Sequence, residues 1–382
     1  MSIYLDNAAT SFPKPEAVYR AINRAMREVG ANPGRGGHRM AVEASRLVFE
    51  TREAVAAFFG AEDSSRIVFT PSATEALNIA LFGLLRPGDR VVTSTMEHNA
   101  VTRPLRALQQ RGVVVEKVAA DSRGFVDPAD IRRAAAGARM VVLCHCSNVT
   151  GTLQAIEEIG PWCRKEGILF LVDAAQSAGL FSLNVEAMGI DLLAAPGHKG
   201  LMGPPGTGVL YVREGLRPEP LIYGGTGGNS QSDLPPEDLP ERLESGTLNL
   251  PGLAGLKAGI EFLMGEGVAN VRARERELMA RLISGLRKIS GLHLFGPLEP
   301  KFHGGVLSFN IEGRDPTEVG FLLDRDHGIF TRVGLHCAPD AHRTIGTFPR
   351  GTVRVSPGYF NTAEHIESLV AAVAAIASHP PA

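Results

Sequence analysis

Five groups of residues in this 382-residue chain have types and settings suited to chemistry. Asp173 closes the apolar run Leu169-Phe170-Leu171-Val172, where an ionised carboxylate is costly unless a cation or a strong donor meets it. Lys199 lies in Gly197-His198-Lys199, and a lysine held there that loses its proton becomes a nucleophile. Ser72-Ala73-Thr74 stands at a helix start, where free N–H groups, hydroxyls and the helix dipole suit a phosphate. His98 offers an aromatic face, and Cys337 a thiol in the glycine- and proline-bearing segment Gly334-Leu335-His336-Cys337-Ala338-Pro339. Taken singly, these residues read as N-caps, a buried ion pair or a solvated charge.

The elements that must position them follow one alternating pattern. Strands are expected at Arg66 to Phe69, Arg90 to Thr93, Val113 to Val118, Met140 to Cys144, Leu169 to Val172, Leu192 to Ala194 and Gly208 to Val212, with helices such as Glu75 to Leu85, Thr102 to Arg111 and Glu157 to Glu166 between them. Runs such as Met140-Val141-Val142-Leu143 are apolar on both faces, as strands covered by helices above and below require. The pattern predicts an α/β fold with a mostly parallel sheet. Ligands of such sheets collect at the carboxyl ends of strands, and Ser72-Ala73-Thr74, His98, Asp173 and Lys199 all follow strands. Beyond a polar, proline-rich stretch from Gly224-Gly225-Thr226-Gly227-Gly228 to Pro240, helices near Leu253 to Met264 and Val268 to Ile289 are expected. Strands near Leu292 to Phe295, Val306 to Ile311 and Thr352 to Val355, with helices near Pro316 to Arg325 and Ala363 to Ala377, complete a smaller α+β domain. The division expected is a large domain over 15–260 and a small one made of 1–14 and 261–382.

Composition narrows the functional classes. With 39 Lys+Arg against 41 Asp+Glu, a formal charge of -2 and 44% hydrophobic residues, the chain is globular and lacks the basic surplus of a nucleic-acid binder. No apolar run reaches the roughly 18 residues of a membrane span, and Met1 to Thr10 shows neither a secretory nor a transit pattern, so the cytoplasm is expected. The four cysteines, Cys144, Cys146, Cys163 and Cys337, do not form a disulfide framework. Cys144-His145-Cys146 lacks a second ligand pair at zinc spacing, so no metal is expected. Cys144, Cys146 and Cys163 read as inert thiols, and Cys337 as the exposed one.

A phosphate cradle, a buried carboxylate, an aromatic ring and a lysine at one sheet edge are together what pyridoxal 5'-phosphate requires. Its phosphate needs an anion site, its pyridine nitrogen an acid partner, its ring a stacking face and its aldehyde a lysine. From Tyr4-Leu5-Asp6-Asn7-Ala8-Ala9-Thr10 to Arg354-Val355-Ser356 and Asn361-Thr362, the chain resembles the class V family of pyridoxal-phosphate enzymes, which has the aspartate aminotransferase-like fold (fold type I). Within that family it resembles the cysteine desulfurases. The most specific segments are Glu97-His98, Ser147-Asn148-Val149-Thr150-Gly151-Thr152, Val172-Asp173-Ala174-Ala175-Gln176-Ser177, Gly197-His198-Lys199 and Glu244-Ser245-Gly246-Thr247.

The resemblance implies that Lys199 binds the cofactor's aldehyde, that Asp173 faces the pyridine nitrogen, that Gln176 lies near the phenolic oxygen and that His98 stacks on the ring. It implies phosphate ligands at Ala73, Thr74 and His198, with Thr247 reaching the phosphate from the second subunit of a homodimer. Asn148 and Arg354 match residues that hold the substrate amino acid, and Arg332 stands beside them as a further substrate-binding candidate. Cys337 matches the persulfide-forming cysteine of L-cysteine desulfuration, which yields L-alanine and passes sulfur to an acceptor, as in iron–sulfur cluster assembly. His336 and Arg332 are expected to favour its thiolate. The offset of 17 positions from Cys337 to Arg354 (354 − 337) resembles that of the compact catalytic loop of the group II desulfurases. Two departures stand out: Pro196 replaces a phosphate-binding serine, and Asn99 follows Glu97-His98 where a second histidine or a lysine is common. Selenocysteine lyase, a related C–S lyase and a class V aminotransferase remain as alternative activities.

Overall fold

The computed structural model describes residues 2–34, 36–226 and 231–378; Gly227 and Gly228 of the glycine run lie outside the described residues. Among these residues a seven-stranded sheet runs in the order Ile67–Thr70, Gly208–Val212, Leu192–Pro196, Leu169–Asp173, Met140–Cys144, Arg90–Ser94, Val114–Val118. All neighbouring pairs are parallel except the two made by Gly208–Val212. The sheet is therefore mostly parallel, as its doubly apolar runs predicted.

Side-chain alternation explains those runs. Val141, Leu143, Phe170 and Val172 join one buried cluster, and Met140, Val142, Leu169 and Leu171 join the other on the opposite face. Both faces are covered, so no position of these strands is free to be polar until the chain leaves the sheet. That is why polar residues accumulate at the strand ends.

The expected strands and helices recur with ends displaced by up to three residues. Three elements went unpredicted near the N-terminus: helix Glu16–Arg24, the π-helical turn Ala25–Val29 and helix Arg39–Phe59. No expected strand flanks them to mark a strand–helix alternation, although Glu16–Arg24 is strongly amphipathic, and Met26, Val42 and Phe49 remain exposed in the single chain. Helix Pro339–Thr344, within the Cys337 loop, was also not anticipated.

A four-stranded antiparallel sheet, Arg332–Gly334, Thr352–Val355, Leu307–Ile311, Leu292–Phe295, packs with helices Val268–Leu286, Pro316–His327 and Ala363–Ser378 around a separate apolar cluster. The N-terminal segment crosses to this unit: Ile3–Tyr4 pairs with Ile329–Phe330, and Leu5 is buried in its cluster. It then returns to the large sheet, where Ser11 Oγ donates to the Lys199 carbonyl at 2.9 Å. No helix among the described residues is long and apolar enough to cross a membrane.

Leu171 is fully buried in the central strand. Leu171→Ala is expected to cost about 2–5 kcal/mol, read as a lower urea midpoint. Met264→Ala, on an exposed helix position, should stay within about 0.5 kcal/mol of wild type.

Candidate active site

At the carboxyl edge of the large sheet one cavity is lined by Ser72, Ala73, Thr74, His98, Cys144, Cys146, Asn148, Asp173, Gln176, Pro196, His198 and Lys199, among others. Strand register produces this convergence. Cys144 pairs with Asp173, and Asp173 with Ala194, so the segments that follow three adjacent strands open onto the same space.

Each wall has a local cause. Helix Ala73–Leu84 begins in the cavity, with Ser72 Oγ accepting from Glu75 N at 3.2 Å, so Ser72 caps the helix while the N–H groups of Ala73 and Thr74 stay available. Gly208 packs against this turn: a Cβ there would lie 2.6 Å from the Ser72 carbonyl carbon. His98 caps helix Asn99–Gln109, its Nδ1 accepting from Ala100 N at 3.0 Å. Burial, reinforced by Lys199, Arg332 and Arg354, lowers its pKa to about 4. His98 is thus a neutral ring with its proton on Nε2.

Asp173 is 4% exposed, and its Oδ1 accepts from Ala175 N at 2.9 Å. Burial raises its pKa, opposed by that hydrogen bond and by Lys199. Burial lowers the Lys199 pKa to about 8, with Asp173 opposing the shift. Glu97, fully buried, accepts from Ser94 Oγ at 2.6 Å and from Cys144 N at 2.9 Å, and its pKa is raised to about 8 by burial. Gln176 Nε2 donates to the Ala8 carbonyl at 3.0 Å, which orients its amide. His198 Nδ1 is buried with no hydrogen-bond partner.

The Cys337 loop is held from two sides. Asn148 Nδ2 donates to the His336 carbonyl at 2.7 Å, and Asn99 N donates to the Cys337 carbonyl at 2.7 Å. His336 and Cys337 both take positive φ, 47° and 57°, a conformation that non-glycine residues hold only where surrounding contacts enforce it. Ala338, Ala341 and Ile345 anchor the compact loop against Met96, Cys144 and Val149. Cys337 is exposed, whereas Cys144, Cys146 and Cys163 are buried. A groove containing Cys337 shares Thr74, His98 and Ala100 with the Lys199 cavity. Burial pushes the Cys146 and Cys163 thiols up to about 12. No group of three or more His, Cys, Asp and Glu among the described residues is arranged to hold a metal ion.

One expectation is corrected. His336 supplies no positive charge to Cys337: it is buried, its Nε2 lies 3.1 Å from Thr352 Oγ1, and burial beside Arg354, His342 and Arg332 drives its pKa down to about 2.

Arg354, 2% exposed, lies opposite Arg332 on the neighbouring strand. Its guanidinium donates to the Asn148 carbonyl at 3.1 Å and to Asp6 Oδ1 at 2.7 Å, while Nε has no partner. Sequence reasoning placed Asp6 within a motif but did not foresee this pairing across 348 positions. Thr247 is the site residue that stays apart. It is exposed and lines a different cavity, with Arg52, Thr226 and Glu244.

The fold and this cavity define a fold type I pyridoxal-phosphate site. The fit rests on the chain itself: a buried carboxylate, a neutral stacking ring, a desolvated lysine, an open helix N-terminus and the unpartnered His198 Nδ1 meet the four demands of the cofactor. The Aminotransferase class-V profile matches residues 3–369. A probable cysteine desulfurase of Methanothermobacter thermautotrophicus is 40% identical over 376 residues, 96% of this chain and 92% of that protein. One from Pyrococcus abyssi is 37% identical, with the same two coverages, 96% and 92%. Among solved structures, the apo cysteine desulfurase of Thermococcus onnurineus superposes with TM-score 0.92 at 36% identity, covering 98% of this chain and 94% of that one. The Escherichia coli cysteine desulfurase CsdA gives 0.86 at 30% identity, covering 97% and 94%. The chain belongs to the class V aminotransferase family of pyridoxal-phosphate-dependent enzymes.

The Lys199 shift has a measurable sign. Between about 8 and its ordinary 10.5, the folded lysine carries less proton than the unfolded one, so stability of the cofactor-free protein rises with pH across that window. Lys199→Met is expected to remove this rise and to stabilise the cofactor-free protein at pH 7 by roughly 1–3 kcal/mol. Urea titrations of both proteins at pH 7 and pH 10 check it, and equal pH slopes would contradict the assigned shift.

Proposed function

We propose that this enzyme is a cysteine desulfurase that takes the sulfur of L-cysteine onto Cys337 and releases L-alanine. The observation that carries the reading is the exposed Cys337 thiol in a pinned turn, in a groove that shares Thr74 and His98 with the Lys199 cavity. A class V aminotransferase has no use for such a thiol.

Pyridoxal phosphate, when bound, supplies an electron sink for negative charge developing at the substrate α-carbon. Ala73, Thr74 and His198 would hold its phosphate, Gln176 would face its phenolic oxygen, His98 would cover its ring, and Asp173 would keep its pyridine nitrogen protonated. Pro196 has no hydroxyl to give, so more of the phosphate's hydrogen bonding falls to these groups. Lys199 Nζ, whose pKa burial lowers to about 8, is the base matched to taking the α-proton near neutral pH. Arg354, with Arg332 beside it and Asn148 beneath, receives the substrate α-carboxylate; its unpartnered Nε–H and remaining terminal N–H donors suit that group.

The Cys337 thiolate attacks the substrate Sγ. An S–S bond forms as the Cβ–Sγ bond breaks, and the electron pair of the broken bond remains with carbon, which is then protonated. The sum is L-cysteine plus the Cys337 thiol giving L-alanine plus the Cys337 persulfide, with no outside oxidant or reductant. An acceptor then takes the terminal sulfur, iron–sulfur cluster assembly being one destination. In this reading the protein is a cytoplasmic homodimer in which Thr247 completes the partner's phosphate site; the distance of Thr247 from its own Lys199 cavity supports that arrangement. Residues 15–260 form the cofactor domain, and residues 1–14 with 261–382 the smaller domain bearing Cys337, a division supported by the separate apolar clusters.

Cys337→Ser is expected to keep bound cofactor yet show no persulfide by mass analysis of the protein after incubation with cysteine, while Cys163→Ala forms it normally. Persulfide on Cys144 or Cys146 in the Cys337→Ser protein would sink the assignment. Lys199→Ala should lower alanine formation by on the order of 10²–10⁴-fold. Because the anchored loop limits the reach of Cys337, wild type should release a burst of about one alanine per site and then a slow phase that an added reductant accelerates. Selenocysteine assayed in parallel tests the lyase alternative.

A further inference from the structure

Outside the cavity, the most completely satisfied buried ion pair joins Arg52 to Glu244. Both are largely buried, 7% and 9% exposed. Arg52 Nη1 and Nη2 meet the two carboxylate oxygens of Glu244 at 2.7 and 2.9 Å, and Nη1 also donates to the Ile67 carbonyl. Glu244 accepts in turn from Phe69 N at 2.6 Å, and the guanidinium lies 4.5 Å from the Phe69 ring centroid. The pair thus ties helix Arg39–Phe59, strand Ile67–Thr70 and the segment that continues as Ser245-Gly246-Thr247.

These three elements do not depend on it equally. Strand Ile67–Thr70 is independently paired to Gly208–Val212 along its length. The 244–247 segment has no helix or ladder of its own; besides Glu244 it is held by Gly246 N donating to the Gly225 carbonyl at 2.8 Å and Ser245 Oγ to the Ile222 carbonyl at 3.1 Å. Gly246, at φ 99°, turns the chain so that exposed Thr247 follows the buried carboxylate by three residues. A buried charge left without its partner is strongly unfavourable, so loss of Arg52 releases this segment first.

We infer that Arg52, through Glu244, is the positioning residue for Thr247, and hence that an ion pair in one subunit sets the phosphate affinity of the cofactor site in the other. This rests on the homodimer reading above. A purely structural role would act within the subunit that carries the substitution; a positioning role through Thr247 acts across the interface.

Two heterodimers with a single Lys199 each separate these possibilities. In the first, Arg52→Met is on the subunit that keeps Lys199 and Lys199→Ala is on its partner. In the second, Arg52→Met and Lys199→Ala share one subunit and the partner is wild type. Pyridoxal phosphate is titrated into each cofactor-free heterodimer by the absorbance of the lysine-bound cofactor, against a wild-type/Lys199→Ala reference. The dissociation constant is expected to rise roughly tenfold in the second heterodimer, the size of one lost charge-assisted hydrogen bond, and to match the reference in the first. Pyridoxal, which lacks the phosphate, should bind both alike. Weakening in the first heterodimer, or in neither, would overturn the role of Arg52. A wild-type protein that sediments as a monomer would instead bring down the homodimer reading itself. If Arg52→Met does not fold, Arg52→Lys, which keeps the charge but cannot span both Glu244 oxygens, serves in the same pair of heterodimers with the same outcomes.

Discussion

The site is organised around the cost of holding charge out of water where three parallel strands end. Asp173 and Lys199 are each pushed by burial toward the neutral form, and each is the other's partial remedy. Glu97, with its pKa raised to about 8, largely avoids adding a second buried negative charge nearby. The cavity is therefore incompletely compensated by the chain alone. A protonated ring nitrogen against Asp173 and an anionic phosphate at the helix N-terminus beside His198 would answer that imbalance, so the electrostatics of the cavity walls suit the charge pattern of the cofactor.

A second constraint acts on the smaller antiparallel sheet and the loop that leaves it. His336 and Cys337 sit in backbone conformations that cost free energy for side-chain-bearing residues. Asn148 and Asn99 hold the two carbonyls of this turn, and Ala338, Ala341 and Ile345 bury the helix that follows. The same Asn148 offers its own carbonyl to Arg354. One residue from the strand end thereby links Arg354 to the Cys337 loop. This linkage, more than the thiol's immediate electrostatic surroundings, is what the structure provides for Cys337, since His336 is neutral and turned toward Thr352.

Two arginine–carboxylate pairs follow the same logic. Asp6 compensates Arg354, and Glu244 compensates Arg52; in each case a carboxylate from a segment without extensive pairing fixes an arginine carried by a regular element. Such pairs add little net stability relative to apolar packing, but they determine where an irregular segment lies. The N-terminal crossing and the segment before Thr247 are both placed in this way.

Much of the site was legible in the amino-acid order because buried parallel strands leave a strong local signature: apolar on both faces, then abruptly polar. Ala73, Thr74, His98, Asn148, Asp173, Gln176, His198 and Lys199 all follow or flank such strands, and strand register brings them to one cavity. Cys337 stood out by its loop composition. The N-terminal helices lie outside the strand–helix alternation that marked the others, so even the strongly amphipathic Glu16–Arg24 was not tied to the fold. Nor did sequence spacing reveal that Asp6 meets Arg354 or that Arg52 meets Glu244, since pairs 348 and 192 positions apart leave no local trace. The local order of residues determined which groups stand at the sheet edge. Tertiary packing alone decided which are charged, which are held, and that Thr247 lies outside its own chain's cavity, because burial and long-range pairing are properties of the folded chain.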